Sequence, residues 1–149
     1  MIKVICVGKV KEKFYRDAIK EYLKRLTKYT KIEIIEVDDD ATDRSLNIER
    51  DRIMKNIKPN EFNITLDIEG TMYDSVALSN KLNQLQIDGK SDINFIIGGS
   101  NGLHQDIKNI SNMSISFSKL TFPHQLFRVI LLEQIYHCFK IISNESYHK

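Results

Sequence analysis

The sequence predicts an α/β fold, with a mainly parallel sheet and helices on both faces, in one domain that spans residues 1–149. Short β-branched or apolar runs alternate with segments of helical periodicity along the whole chain, which is typical of strand-helix-strand units. The first run, IKVICV, is apolar at all but one position, as expected for a strand buried on both faces of a parallel sheet. A chain of 149 residues with 42% apolar and 28% charged residues also has the balance of one soluble domain with its own core.

The first half of the chain contains three predicted strands and two predicted helices. The strand at 2–7 ends at a glycine, and the segment 12–29 carries apolar side chains at three- and four-residue steps with lysines opposite, which predicts an amphipathic helix. The β-branched run 32–37 predicts the second strand, and the three aspartates that follow it belong to a loop. A weaker helical pattern covers 43–57, and FNITL at 62–66 predicts the third strand.

The second half continues the alternation of strands and helices. A helix is predicted at 74–86 from its regularly spaced apolar residues, and a fourth strand at 93–97 from the run INFII. A short polar helix around 104–109 and a short strand at 113–117 follow a glycine-rich loop. The last helix is predicted over 123–142 and begins at a proline, a residue that is favoured in the first helical turn.

The last predicted helix is apolar nearly all the way round. Such a helix is expected either in an interface between subunits or buried within its own chain, and the sequence leaves both open. At about 100° per residue, His124 and Arg128 lie about 40° apart near its start and face the preceding loop. Glu133, His137 and Lys140 cluster on the opposite side. The start of this helix therefore presents a polar pair to the loop before it.

The net charge of +2 conceals an uneven distribution. Residues 1–31 contain ten lysines and arginines against three acidic residues, whereas residues 32–80 contain five against twelve. Basic residues concentrated near one helix can contact several phosphates of a nucleic acid. A solvated helix face is the alternative, because lysines are mostly exposed on protein surfaces.

Several classes of protein are disfavoured. No run reaches the roughly 18 apolar residues of a membrane span, and the N-terminus lacks the features of a signal peptide, so a cytoplasmic location is expected. Cys6 and Cys138 lack CxxC spacing and are expected to be buried small hydrophobic residues. The aspartates at 38–40 have no histidines at ligand spacing, which disfavours a metal site.

The loop GGSNG at 98–102 follows the fourth predicted strand. Glycines let backbone N–H groups approach a ligand, so a ligand-binding loop and a purely structural turn are both open. Its spacing differs from GxGxxG, which argues against a dinucleotide site and leaves a flavodoxin-like domain without a phosphate loop. Asp67 and Lys119 are placed as in phospho-accepting receiver domains, but those domains need an acidic pair after the first strand, where this chain has VGK at 7–9.

Three stretches of the chain together resemble one known family. They are ITLDIEG at 64–70, FIIGGSNGLH at 95–104 and SFSKLTFPHQLFRVILLEQIYHCFKI at 116–141, followed by YHK at 147–149. With the opening VICVGKVKEKFYRDAIKEY at 4–22, they resemble the ribosomal RNA large subunit methyltransferase H family, the pseudouridine N3-methyltransferases of the SPOUT class. The joint occurrence of IGGSNG, LTFPHQ and the terminal YHK makes the resemblance specific.

The resemblance implies a SPOUT-type fold in which the C-terminal segment threads through an earlier loop to form a trefoil knot. It also implies a homodimer, S-adenosylmethionine as the cofactor, and no metal. The residues that it implies as cofactor contacts are Leu66, Gly98, Gly99, Phe117, Ser118, Lys119, Leu120, Thr121 and Phe122.

The same resemblance implies a reaction and a substrate. Members of the family methylate N3 of pseudouridine 1915 in helix 69 of 23S rRNA, on the assembled 70S ribosome, and carry no separate RNA-binding domain. The alternative is a non-enzymatic basic α/β module that binds ribosomes or RNA. That alternative accounts for the lysines but not for the two loops, and such a module would not bind S-adenosylmethionine.

Four polar residues near the loop and the C-terminal tail are the candidate catalytic groups. We expect His124 and Arg128 to orient the base or a neighbouring phosphate, and Tyr147 and His148 to complete the pocket, from the same chain or from the partner subunit. His148 is the stronger candidate for the general base, because the unperturbed pKa of histidine, about 6.5, leaves much of it neutral at pH 7. A hydrogen bond at the helix start is the alternative role for His124. The residues expected to hold the rRNA backbone are Lys9, Lys11, Lys13 and Arg16.

Overall fold

A computed structural model describes residues 1–40, 42 and 45–148 of the chain. They form a single α/β domain around a five-stranded sheet in the order β2-β1-β4-β3-β5, in which every neighbouring pair of strands is parallel. The predicted fold class is confirmed. The strands are β1 (Ile2–Val7), β2 (Ile32–Val37), β3 (Phe62–Met72), β4 (Ile93–Ile97) and β5 (Met113–Ser116).

The helices cover both faces of the sheet, as the alternating pattern predicts. They are α1 (Lys13–Leu26), α2 (Ser45–Met54), α3 (Ser75–Ile87), α4 (Gln105–Ile110) and α5 (His124–Ile142). Helices α1, α3 and α5 pack on one face, and α2 and α4 on the other. Pro123 caps α5 instead of lying in its first turn, and positions 43 and 44 of the predicted helix 43–57 lie outside the described residues.

Strand β1 is buried along its whole length, which explains its nearly continuous apolar sequence. Val4 and Cys6 point into the larger core beneath α1, α3 and α5, whereas Ile5 and Val7 point into the smaller core beneath α2 and α4. Lys3 is the polar exception, and its Nζ donates to Glu61 Oε1 at 3.0 Å and to the Asn56 carbonyl at 2.7 Å. Side chains therefore pack against both faces of β1, and only the ends of the strand remain open to a ligand.

Helix α5 lies between α1 and α3, so much of its apolar surface is covered within the chain. This confirms intrachain burial for one side of the helix, the alternative to a subunit interface. The side chains buried there are Leu131, Leu132, Ile135, Cys138 and Phe139. Both cysteines are buried and free, as predicted. In the described part of the chain, no helix is long and apolar enough to cross a membrane.

Strand β3 is longer than predicted. It runs past Leu66 to Met72 because its pairing with β5 resumes after an irregularity, so that Ile115 lies opposite both Leu66 and Thr71. Gly70 allows the strand to return, since a Cβ at this position would lie 2.7 Å from the Ile115 carbonyl carbon. Residues 67–70 consequently bulge out at the carboxyl end of the sheet. The C-terminal trefoil knot that the resemblance implies stays a prediction.

Candidate functional site

A cavity of about 330 Å³ opens at the carboxyl ends of β3, β4 and β5, where parallel sheets bind their ligands. Its volume lies at the lower end of the range for small-molecule sites. Apolar side chains form most of its walls, and the glycine-rich loop 98–102 contributes to its lining. The residues that line the cavity include Leu66, Asp67, Ile68, Gly98, Gly99, Lys108, Phe117, Ser118, Leu120, Thr121, Phe122, His124 and Phe127.

The GGSNG loop at 98–102 is a tight turn and also a wall of the cavity. The Gly102 N–H donates to the Gly99 carbonyl at 3.0 Å, and Gly102 has a φ of +76°. A Cβ at Gly98 would lie 2.6 Å from the Gly102 carbonyl carbon, so a larger residue cannot enter without opening the turn. The loop is therefore a structural turn that also lines the cavity, and ligand binding by it stays a prediction.

Helices α2 and α4 fix this loop from the face of the sheet away from α5. Asn101 Nδ2 donates to Ser45 Oγ at 3.0 Å. His104 caps α4 by accepting from the Asp106 N–H at 2.9 Å, while its Nε2 contacts Asn47 Oδ1 at 3.0 Å. The loop is thus anchored through Asn101 and through His104, which follows it, before any ligand binds, and this lowers the entropic cost of binding.

The FSKLTF loop at 117–122 forms another wall of the cavity. The Phe117 and Phe122 rings pack against Phe127 of α5, with centroids 5.3 and 6.2 Å apart. The Leu120 N–H donates to Ser118 Oγ at 2.9 Å, which shapes the turn. All the predicted cofactor-contact residues line the cavity except Lys119, whose side chain is exposed in this loop.

Of the four candidate catalytic residues, His124 lies at the cavity. It is the first residue of α5, directly after the capping Pro123. The alternative role, a hydrogen bond at the helix start, is not seen in the described residues; His104 has that role in α4. Both imidazole nitrogens of His124 are therefore available to a ligand.

Arg128 lies one turn after His124 but points into the protein. It is 2% exposed, and it donates from Nη1 to Glu36 Oε2 at 2.8 Å and from Nη2 to the Val7 carbonyl at 2.7 Å. A buried guanidinium with a carboxylate and a carbonyl acceptor fixes the elements it joins. Arg128 thus ties the start of α5 to the carboxyl ends of β1 and β2.

The loop between β1 and α1 is fastened beside His124. The N–H groups of Lys11 and Glu12 donate to Gln125 Oε1 at 2.9 and 3.3 Å, and the Val10 N–H donates to Glu36 Oε2 at 2.8 Å. The four predicted RNA-binding residues belong to this loop and the first turns of α1, and all are exposed: Lys9, Lys11, Lys13 and Arg16. These positively charged residues therefore lie at the same end of the sheet as His124, because their loop is bonded to Gln125, the next residue.

The C-terminal tail folds back onto the other side of α5. Tyr147 OH donates to Glu133 Oε2 at 2.9 Å, and His148 Nδ1 lies 2.8 Å from His137 Nε2. Burial, and then the hydrogen bond to Glu133, raise the pKa of Tyr147 to about 12. Neither Tyr147 nor His148 lines the cavity that His124 borders, and Lys149 lies outside the described residues.

His148 borders a second cavity, of about 420 Å³. Ile115, Phe117 and Phe122 line both cavities and so form the wall between them. His148 therefore lies near the first cavity but is separated from it by Ile115, Phe117 and Phe122.

Glu145 anchors the tail and gives a testable pH dependence. Hydrogen bonds from Lys140 Nζ at 2.9 Å and Tyr29 OH at 2.8 Å lower the pKa of Glu145 to about 2. Folding lowers the pKa of this carboxyl, so its ionised form stabilises the folded protein at pH values above the carboxyl's pKa in the unfolded chain. This stabilisation is lost as the pH falls toward the carboxyl's pKa in the folded protein. We expect Glu145→Gln to lower the melting temperature at pH 7. The gap to the wild type should narrow below about pH 4.5 and close near pH 2 in thermal unfolding scans; a gap independent of pH would contradict this.

Two charged residues of the cavity form an ion pair that the sequence did not predict. Asp67 Oδ2 lies 3.3 Å from Lys108 Nζ, and both line the cavity. The position of Asp67 at a strand end was a usable signal, although its partner is Lys108 and not Lys119; nothing in the sequence around Lys108 indicated its role. Within the described ranges, no group of three His, Cys, Asp or Glu side chains is arranged to hold a metal ion.

Comparisons with known proteins agree with this geometry. The model of a family described as "Predicted SPOUT methyltransferase" matches residues 1–148. A protein of Methanococcus maripaludis, named putative ribosomal RNA large subunit methyltransferase H, is 54% identical, and the match covers 99% of each chain. A probable methylase family protein from Haemophilus influenzae Rd KW20 has a related fold, with a TM-score of 0.56 at 10% identity over 99% of this chain and 70% of that one.

The family model matches nearly the whole chain, and the fold and the cavity agree with that match. Two of the loops that contributed to the resemblance, GGSNG and FSKLTF, line one cavity, and the relative at 54% identity is matched almost end to end. The chain therefore belongs to the SPOUT methyltransferase family, among the ribosomal RNA large subunit methyltransferase H proteins.

Proposed function

We propose that this protein transfers a methyl group from S-adenosylmethionine to 23S rRNA, at N3 of the pseudouridine in helix 69 of the assembled 70S ribosome. The observation that carries the proposal is the cavity, which the GGSNG and FSKLTF loops line together. The name of the M. maripaludis relative supports a large-subunit rRNA substrate. The base, the atom and the 70S context are inferred from the resemblance of the sequence.

The residues of the cavity fit S-adenosylmethionine. Its flat adenosyl group needs apolar walls, which Leu66, Phe117 and Phe122 offer. Gly98 and Gly99 contribute backbone to the lining of the cavity. A larger residue is disfavoured at either position, since a Cβ at Gly99 would lie 3.1 Å from Val7 Cγ1. When bound, the cofactor supplies an electrophilic methyl group on a sulfonium.

Residues of this chain then have to align the base and handle its N3 proton. Holding a reacting pair in line accounts for much of the rate of such a transfer, because the freedom of the two partners is removed before they react. His124, at the cavity with its ring nitrogens available, is placed to hydrogen-bond the base. Arg128 acts as a positioning residue, since it holds the start of α5 against β1 and β2 without reaching the cavity. No metal takes part in this scheme.

We further propose that the protein is a homodimer and that its tail works on the neighbouring site. His148 borders the second cavity, across Phe117 and Phe122 from the first, and Tyr147 is held by its hydrogen bond to Glu133. A second subunit can present the same tail to His124 from outside, where His148 remains the candidate general base. The trefoil knot belongs to this proposal, and a ribosomal substrate places the protein in the cytoplasm.

The basic loop gives a prediction about substrate binding. We expect Lys9→Glu together with Lys11→Glu to weaken binding to 70S ribosomes and to reduce the salt slope of binding by about 1 for each phosphate that the variant no longer neutralises. Affinity for S-adenosylmethionine should stay unchanged, because neither side chain lines the cavity. Lys81→Glu, an exposed lysine on α3, is the matched control. An equal loss of cofactor affinity in the double variant would contradict this division of roles.

The proposed function is tested by methyl transfer from labelled S-adenosylmethionine to 70S ribosomes from cells that lack this gene. Isolated 50S subunits are assayed in parallel, and the labelled nucleoside is identified by mass spectrometry. Label on N3 of pseudouridine in 70S ribosomes alone is the expected result. Cofactor binding without label points to another methyl acceptor, and absence of cofactor binding leaves the non-enzymatic RNA-binding module.

A further inference from the structure

Asp67 and Lys108 place opposite charges side by side on the wall of an otherwise apolar cavity. Asp67 follows Leu66 at the start of the β3 bulge, and Lys108 projects from α4. Their side chains are 17% and 37% exposed, and Oδ2 and Nζ lie 3.3 Å apart. The pair is thus open to the cavity and not sealed in the core.

Both groups keep hydrogen-bonding capacity for a ligand. A lysine ammonium has three N–H donors, and among the described residues that of Lys108 has Asp67 as its single ion-pair partner. Asp67 Oδ1 accepts from the Glu69 N–H at 3.1 Å, which fixes the carboxylate at the bulge, and Oδ2 retains lone pairs. A fixed carboxylate beside an ammonium is the complement of a zwitterion.

We infer that Asp67 and Lys108 form the subsite for the amino-acid end of S-adenosylmethionine, which rests on the proposed function. Lys108 Nζ donates to the α-carboxylate of the ligand, and Asp67 Oδ2 accepts from its α-ammonium. The adenosyl end lies against the apolar walls and the glycines. No bond is formed or broken in this step. The pair therefore selects ligands that carry both charges.

A purely structural ion pair makes a different prediction. A salt bridge that only fastens the β3 bulge to α4 would shape the whole cavity, and its loss would affect every adenosyl ligand equally. A subsite affects only ligands that carry the matching charge. Ligands that differ solely at the amino-acid end therefore separate the two roles.

The experiment measures, by calorimetry, the binding of three ligands to the intact protein. They are S-adenosylmethionine, its decarboxylated form, which keeps the ammonium, and 5′-methylthioadenosine, which lacks the whole amino-acid end. The variants are Lys108→Met, Lys108→Arg and Asp67→Asn, with Lys81→Met on α3 as the matched control. Thermal unfolding of each variant reports whether it is folded.

We expect Lys108→Met to weaken S-adenosylmethionine about tenfold and to leave the other two ligands within about twofold, because one charge-assisted hydrogen bond is removed. Lys108→Arg should restore most of the affinity. Asp67→Asn should weaken S-adenosylmethionine and its decarboxylated form but not 5′-methylthioadenosine.

Two results would overturn the subsite while leaving the cofactor class intact. One is an equal loss for all three ligands in Lys108→Met or Asp67→Asn, and the other is unchanged affinity for S-adenosylmethionine in both variants. If the wild type binds neither S-adenosylmethionine nor 5′-methylthioadenosine, the proposed function itself fails, and the subsite with it.

Discussion

Gly98→Ala is expected to remove most of the affinity for S-adenosylmethionine. The new Cβ would lie 2.6 Å from the Gly102 carbonyl carbon and 3.1 Å from Leu103 Cγ, so the turn has to open. Backbone overlap of this kind costs about 1–3 kcal/mol, which corresponds to a roughly 10- to 100-fold loss if it is felt in the bound state. Because Gly98 forms part of the cavity wall, we expect the loss in calorimetric titrations with the cofactor, accompanied by a lower melting temperature.

Gly89→Ala separates loss of the site from loss of stability. Gly89 has a φ of +77° and no atom within 4 Å of its would-be Cβ, and it lies in the exposed turn after α3. An alanine there costs about 1–2 kcal/mol through the left-handed backbone alone. The melting temperature should fall in both variants, and cofactor affinity should fall in Gly98→Ala alone. Full affinity in Gly98→Ala would show that the turn does not shape the binding site.

Local patterns in the sequence predicted the fold because the local and the tertiary requirements agree. β1 reads as one apolar run since both of its faces pack, and α1 shows its stripe of apolar residues because one side is exposed. The full length of β3 was missed for the opposite reason. The apolar run FNITL ends at Leu66, and pairing resumes after it only because Gly70 can pass close to the β5 backbone. The pairing partner, β5, lies more than 40 residues further along the chain, so no local pattern around Gly70 indicates it.

The cavity was predicted through its loops, and its side chains only in part. Helical geometry placed His124 and Arg128 on one side of α5, but it could not show that the longer side chain reaches inward to Glu36, a residue 92 positions away. The Asp67–Lys108 pair is likewise a tertiary contact, between a strand end and a helix that the sequence marked only as polar. Contacts between distant elements decide these roles, and spacing along the chain does not encode them.

Mixing two inactive variants should restore activity if the tail serves the partner's site. His124→Ala and His148→Ala are each expected to lower methyl transfer about 100-fold or more, as for loss of a group that orients or deprotonates the reacting base. In a mixed dimer, one site combines the intact His124 of one chain with the intact tail of the other. Random reassociation of equal amounts should then give about a quarter of the wild-type activity, since half of the dimers are mixed and each has one intact site.

The contacts of the tail within its own chain decide how the mixing result is interpreted. His148 is 2.8 Å from His137, Tyr147 is bonded to Glu133, and the Phe117 and Phe122 wall lies between this cluster and His124. Action within one chain requires the tail to leave these partners and cross the wall, and the mixture would then stay as inactive as either variant alone. Action between chains leaves the tail anchored and requires only a dimer that apposes the two surfaces. Recovered activity, with sedimentation showing dimers, would therefore assign His124 and His148 of one catalytic site to different subunits.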